Sequence, residues 1–333
     1  MAQTDMPLAE LLIHLEKLAQ QSLGLWDMPP NARARLINVS ENATYLVEAD
    51  GGWKAVLRIH REAYHTRRAI ECELAWIAAL KASRAVVTPE SRAGKDGEVI
   101  QVGRIDSLEK PRFMVLFEFV EGTQPDEAGD LEGPFEELGE IAARTHEHSK
   151  SWRRPENFER LVWNVETIYG ARTNWGDWRD APGVTPEIAA VLERVEARVR
   201  ARLEAFGAGP DRYGLIHADM RLANLLRDEN GTRLIDFDDC GFGWFLYDFA
   251  AGISFMEDDP RIPALKAAWV RGYEKVRRLS AAEKAEIDTF VMLRRMALLA
   301  WIGSHIEAPE PQALAPDFAR VSAELGEAWL GAR

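Results

Sequence analysis

The residues with the most evident chemistry lie in one stretch, His217-Ala218-Asp219-Met220-Arg221-Leu222-Ala223-Asn224, followed twelve positions later by Asp236 in Ile235-Asp236-Phe237. Phosphoryl transfer needs a carboxylate that can orient an alcohol and take its proton, with oxygen ligands for a metal ion close by. Asp219 fits the first role. Asn224, a neutral amide oxygen one short loop away, and Asp236 fit the second, as ligands of a Mg2+ ion that bridges nucleotide phosphates. Taken singly, Asp219 and Asn224 would more often cap turns, and His217 would more often support a loop. Their order and spacing together favour catalysis.

The spacing His217-x-Asp219-x4-Asn224 reproduces that of the kinase catalytic loop, and Asp236-Phe237-Asp238 is a partial match to D-F-G, with Asp238 where glycine is usual. Together with Leu246-Tyr247-Asp248-Phe249-Ala250, these segments resemble the two signature blocks of the aminoglycoside phosphotransferase and choline kinase superfamily, relatives of the protein kinases. The stretch Ile235 to Phe255 is most similar to the homoserine-kinase-like and stress-response-kinase-like branch. The resemblance covers nearly the whole chain. It implies ATP as phosphoryl donor with Mg2+, and a small-molecule hydroxyl acceptor such as an aminoglycoside, homoserine or another amino alcohol. For Asp248 it implies an anchoring role through hydrogen bonds rather than a reacting one. Arg221 reads equally as a group that orients a ligand or one that supports the loop.

The front of the chain should then supply the grip on the nucleotide. Ala55-Val56-Leu57-Arg58 stands in the place of V-A-I-K, with arginine for lysine, and arginine also binds phosphate, though with a different geometry. Its partner should project from the following helix. Glu73 shares a helical face with Ile70, Leu74 and Ile77, whereas Glu71 leans to the side, so Glu73 is expected to pair with Arg58. A surface ion pair is the plainer account. No G-x-G-x-x-G lies between the first two strands. The resemblance implies that Ser40-Glu41-Asn42-Ala43-Thr44 takes its place, with Ser40 and Asn42 in a turn whose backbone N–H groups face the phosphates. By the same resemblance, Glu118-Phe119-Val120-Glu121-Gly122 is a hinge, where the main chain of Glu118 and Val120 meets the edge of adenine.

Short strand-like runs at Leu36 to Val39, Thr44 to Ala49 and Trp53 to Ile59, with Asp50-Gly51-Gly52 between the last two, predict antiparallel pairing. A helix over Thr66 to Leu80 and strands near Val99 to Val102 and Phe113 to Phe119 complete this part. From Leu131 onward helices dominate. Thr185-Pro186-Glu187 starts one, and Ser280 with Glu283 forms a capping box ahead of another. One strand pair, Asn224 to Arg227 with Arg233 to Phe237, interrupts them around the turn Asp228 to Gly231. Gly241-Phe242-Gly243 follows a strand but lacks the rest of a dinucleotide-binding pattern. His146 and His148 point apart on a helix and do not suit zinc. The segment Ser151 to Asp180 carries Trp152, Trp163, Trp175 and Trp178, either around an acceptor or packed on the helical half.

Composition bounds the remaining possibilities. The 333 residues are 47% hydrophobic and 29% charged, ordinary for a globular protein, and the net charge of -13 opposes a nucleic-acid binder that must neutralise many phosphates. The first residues form an amphipathic helix rather than a secretion signal, and no apolar run approaches the ~18 residues needed to span a bilayer, so the chain reads as cytoplasmic with no membrane partner. Cys72 and Cys240 read as buried thiols.

These features combine into an α+β, bilobal protein-kinase-like fold. Residues 1–121 form a nucleotide-binding lobe, an antiparallel β-sheet with one main helix and a leading helix, and residues 122–333 form a mainly helical lobe with the catalytic loop and acceptor site. Two alternatives stay open. One is a serine/threonine protein kinase; the other is a non-catalytic nucleotide-binding scaffold, suggested by Arg58 in the lysine position and Asp238 in the glycine position.

Overall fold

The computed structural model describes residues 6–229 and 231–332, so Asn230, in the expected turn, lies outside them. The chain divides into two compact units, each described by itself. The first takes the described residues through Ala78 with Thr88–Glu121 and Arg154–Glu159; the second takes Ala79–Val87, Gly122–Arg153 and the described residues from Arg160 onward.

In the first unit α1 (Leu8–Ser22) precedes β1 (Arg33–Val39), β2 (Ala43–Ala49) and β3 (Trp53–Ile59), and then come α2 (Arg67–Ala82), which belongs to this unit through Ala78, β4 (Ser91–Arg92), β5 (Gln101–Gly103) and β6 (Arg112–Glu118). The sheet order is β1-β2-β3-β6-β4, β5 also pairs with β6, and every pair is antiparallel. Period-two alternation puts Tyr45, Val47, Ala55, Leu57 and Ile59 into one core with Leu15, Leu18 and Trp26. Each large apolar side chain so buried contributes roughly 1.5–3 kcal/mol. Gly51 and Gly52, both at φ 79°, make the turn from β2 into β3, a conformation in which a side chain would be strained. On α2 the buried residues Ile70, Glu73 and Ile77 recur at helical spacing and fix which way Glu73 points.

The second unit contains α3 (Glu132–Ser151), β7 (Leu161–Trp163), α4 (Val165–Tyr169), α5 (Pro186–Phe206), β8 (Tyr213–Ile216), β9 (Leu225–Asp228), β10 (Gly231–Leu234), β11 (Gly241–Trp244), α6 (Tyr247–Gly252), α7 (Ile262–Glu274), α8 (Ala281–Ser304) and α9 (Pro309–Gly331). The expected caps are present: the Thr185 side chain accepts from Ile188 N–H, and Ser280 and Glu283 form the reciprocal box. α3 and α7 cross at very short range because Gly139 and Gly272 face the partner backbone; a Cβ on Gly272 would lie 1.8 Å from the carbonyl oxygen of Glu136. Helix α8 is buried almost all round from Ile287 to Ile302, and Arg294 and Arg295 lie inside that apolar run.

Three local expectations need correction. The helical half holds a second small sheet, β7-β11-β8, parallel on one side of β11 and antiparallel on the other, built from strands too short to show periodicity. Gly241-Phe242-Gly243 is therefore the central strand itself rather than a loop after one. Its glycines let neighbours approach: a Cβ on Gly241 would sit 2.3 Å from the oxygen of Leu161. The strand before Asp236 ends earlier than its composition suggests, since β10 stops at Leu234, and Asp236 follows in left-handed backbone at φ 60°. Among the described residues no helix is long and apolar enough to cross a membrane.

Candidate active site

The segment from His217 to Asn224 runs from the end of β8 through a single 3-10 turn, Leu222–Asn224, into β9. Ala218 stands at φ 66°, a left-handed conformation that costs energy outside glycine and persists only where surrounding contacts enforce it. Those contacts are explicit. Buried Asp248, on α6, accepts the Ala218 N–H at 2.7 Å on Oδ1 and the His217 N–H at 3.1 Å on Oδ2. His217 Nδ1 accepts the Asp219 N–H at 3.3 Å, which leaves its Nε2–H to donate to Ile235 O at 3.1 Å. Ile235 N–H in turn donates to Asn224 O at 3.0 Å. Residues eighteen positions apart thus meet through one backbone unit, which brings Asp236 beside the Asp219–Asn224 loop.

Asp219 is held on both oxygens. Asn224 Nδ2 donates to Oδ2 at 2.9 Å and to the Asp219 carbonyl at 2.8 Å; Arg294 Nη2 donates to Oδ1 at 2.9 Å, and Arg221 Nε lies 3.3 Å from the same oxygen. Burial works to raise the Asp219 carboxyl, but Arg221, Arg294, His217 and the Asn224 hydrogen bond outweigh it and hold the group below the usual aspartate range. It is therefore ionised at neutral pH, with its side chain 16% exposed. Arg221 also pairs with Glu310 at 3.2 Å and lies over the Phe255 ring at 5.4 Å. Arg160 Nε donates to Cys240 O at 2.8 Å, and its Nη2 donates to Asp238 O. With Trp163 Nε1 donating to Asp239 O at 2.8 Å, they brace the loop after Asp236.

Among the described residues no three His, Cys, Asp or Glu side chains cluster as metal ligands. The donor set here is leaner: the exposed Asp236 carboxylate, and Asn224, whose NH2 is spent on Asp219 so that its Oδ1 is the atom left to bind a cation. Such a pair fits Mg2+, which keeps several waters and takes further oxygens from phosphates.

In the first unit the Arg58 and Glu73 side chains meet as expected, Nη2 to Oε1 at 2.6 Å, and they are 6% and 0% exposed, while Glu71 stays on the surface against Arg67 and Arg68. Lys54 instead reaches Glu121 at 3.4 Å and the Phe119 ring. The turn before β2 is closed by Ser40 N–H donating to Asn42 O, and the Asn42 side chain accepts the Arg61 N–H at 3.0 Å. Glu118 ends β6 with its N–H on Glu90 O and its carboxylate 3.4 Å from Arg92; Val120, half-buried, follows that strand.

Reading from sequence missed Arg294, Tyr247 and Glu310 around Asp219, and Arg160 behind Asp236. Arg294 did leave a signal: Arg294-Arg295 inside Phe290 to Ile302 places two charges where an apolar helix has no use for them unless they are paired.

His146 is a further titratable group of this network, with Nε2 2.9 Å from Asp248 Oδ2 and Nδ1 2.9 Å from the Tyr273 hydroxyl. Burial lowers its pKa below the ordinary 6.5, and this outweighs the upward pull of Asp248. The neutral ring then donates from Nε2 to Asp248 and accepts from Tyr273. As pH falls below about 6.5 the unfolded chain binds a proton that folded His146 refuses, so stability drops with acidity. We expect the unfolding midpoint to fall between pH 7.5 and pH 5.5, and to fall less in His146→Gln; calorimetric scans of both proteins check this.

The chain as a whole is similar to known phosphotransferases. The family described as "Phosphotransferase enzyme family" matches residues 34–282. The solved structure of the microcompartment-associated aminopropanol kinase is 46% identical, covers 94% of this chain and 97% of its own, and superposes with a TM-score of 0.87. The amicoumacin kinase hAmiN, solved with AMP-PNP, Ca2+ and Ami, covers 94% of this chain and 93% of its own at 19% identity and a TM-score of 0.73. The homoserine kinase of Gluconobacter oxydans is 33% identical over 161 residues, which span 46% of this chain and 48% of that enzyme.

Proposed function

The chain belongs to the phosphotransferase enzyme family, and from that premise we propose that it transfers the γ-phosphoryl group of ATP to the hydroxyl of a short amino alcohol, with Asp219 as the group that receives the hydroxyl. The whole-length likeness to an aminopropanol kinase carries the acceptor class. The surroundings of Asp219 agree with it. Phe255 packs with Trp301 at 5.8 Å and lies under Arg221, so aromatic faces that can pack against a short aliphatic chain lie close to the loop that carries Asp219.

The geometry around Asp219 and the family resemblance support the following division of labour. Asp219, ionised and fixed, orients the acceptor hydroxyl and takes its proton as the oxygen attacks the γ-phosphorus and ADP leaves; positioning and charge account for most of such catalysis. Asn224 and Asp236 would hold Mg2+, which when bound neutralises charge on the phosphates. Arg58, oriented by Glu73, grips phosphate in place of the usual lysine; its buried pairing at 2.6 Å supports a working enzyme over a scaffold. By the family resemblance, the Ser40–Asn42 turn would face the phosphates with N–H groups other than that of Ser40, which is spent on Asn42 O, and the Glu118 carbonyl and the main chain of Val120 would meet the base, since the Glu118 N–H is held by Glu90 O.

A Mg2+-dependent ADP-release assay over a panel of amino alcohols, homoserine, sugars and aminoglycosides tests this reading. The expected result is a kcat/KM for 1-amino-2-propanol or a close homologue at least ten times that for sugars and aminoglycosides. Preference for an aminoglycoside or for a protein substrate would overturn the acceptor class.

A further inference from the structure

Arg294 carries more of the site than a buried ion pair requires. Its side chain is 2% exposed, yet every donor edge is engaged: Nε with Ser254 Oγ at 3.1 Å, Nη1 with Ala218 O at 3.1 Å and the Tyr247 hydroxyl at 3.5 Å, and Nη2 with Asp219 Oδ1 at 2.9 Å. The guanidinium lies 5.2 Å from the Trp175 ring and 5.7 Å from the Tyr247 ring. It projects from the middle of α8, and the other end of the arrangement is Asp248, which holds the Ala218 N–H.

Left-handed Ala218 is thus gripped from both sides, its N–H by Asp248 and its C=O by Arg294. The planar fork that holds the Ala218 carbonyl also holds the carboxylate of the next residue. We propose that Arg294 is a positioning residue for transfer: it fixes in one unit the backbone turn that aims Asp219 and the rotamer of its carboxylate, and Trp175 from the tryptophan-rich segment shields it from water. The inference rests on the role given to Asp219 above. A lysine keeps the charge but is a single point with a flexible stem, and it cannot span both oxygens as a rigid fork does.

The test uses Arg294→Lys and the milder Ser254→Ala, which removes only the partner of Nε, with Asp219→Ala as control. Misplacement of a reacting group by about 1 Å costs on the order of 100-fold. For Arg294→Lys we expect kcat to fall roughly 10- to 100-fold while KM for ATP stays within about twofold. ADP released per acceptor phosphorylated should rise above one, since water competes with a poorly aimed alcohol. Ser254→Ala should show the same pattern at a few-fold loss of kcat, and it decides the matter if the lysine variant does not fold. A merely structural role would lower the unfolding temperature and the active fraction without moving the coupling ratio. Wild-type kcat and one-to-one coupling in the folded variants, with Asp219→Ala inactive, would overturn the role of Arg294; an active Asp219→Ala would instead remove the reading on which it rests.

Discussion

Asp219→Ala is expected to lose transfer by about 1,000-fold or more in kcat while its affinity for ATP stays within about threefold of wild type, because it removes the acceptor's proton partner and leaves the phosphate-binding side intact. Removing general-base assistance alone accounts for roughly 100- to 10,000-fold. The carboxylate also organises its surroundings, since Asn224, Arg221 and Arg294 all converge on it. Without it, two cations face each other across the vacated position. Asp219→Asn separates the contributions: it keeps the shape but not the charge, and should be nearly as inactive. Initial-rate kinetics with calorimetric titration of ATP checks both. A folded Asp219→Ala protein within tenfold of wild-type kcat would remove Asp219 from its role.

The second large effect is expected at Asp236. Its exposed carboxylate is the anionic member of the pair assigned to Mg2+ and it stands in strained backbone, φ 60°, braced from behind by Arg160 and Trp163. Even changes to groups that only hydrogen-bond a metal's ligands weaken metal sites by roughly 10- to 100-fold, so loss of a direct ligand should cost ~100-fold or more in Mg2+-dependent ATP affinity. The measurement is ATP binding with Mg2+ and with chelator. In wild type Mg2+ should tighten binding; in Asp236→Ala the two conditions should converge. A variant that keeps the full Mg2+ enhancement would contradict the assignment.

Legibility in the sequence tracked how locally each feature is determined. His217, Asp219 and Asn224 could be read because one loop supplies all three, so their separation in the chain is their separation in space. The Arg58–Glu73 pair was legible for a related reason: strand alternation and helix periodicity each fix a direction over a few residues, and the two directions meet. Arg294 lies 75 positions beyond Asp219, and only the packing of α8 brings it there. The same holds for Arg160 behind the Asp238–Cys240 carbonyls. Strands β7, β8 and β11 have three or four residues each, below the length at which a period of two can be seen, and the glycines of β11 imitate a loop. The hinge proposed around Glu118 and Val120 would work through its main chain, which side-chain identity scarcely records.

The most direct measurement is phosphorus NMR of the purified protein incubated with ATP, Mg2+ and 1-amino-2-propanol, with Asp219→Ala run alongside. The account predicts a new phosphomonoester signal, split by a carbon-bound proton on the alcohol carbon, that grows in step with ADP and is absent from the variant. ATP consumed only to inorganic phosphate, a phosphoramidate signal, or the same phosphomonoester formed by Asp219→Ala would contradict it.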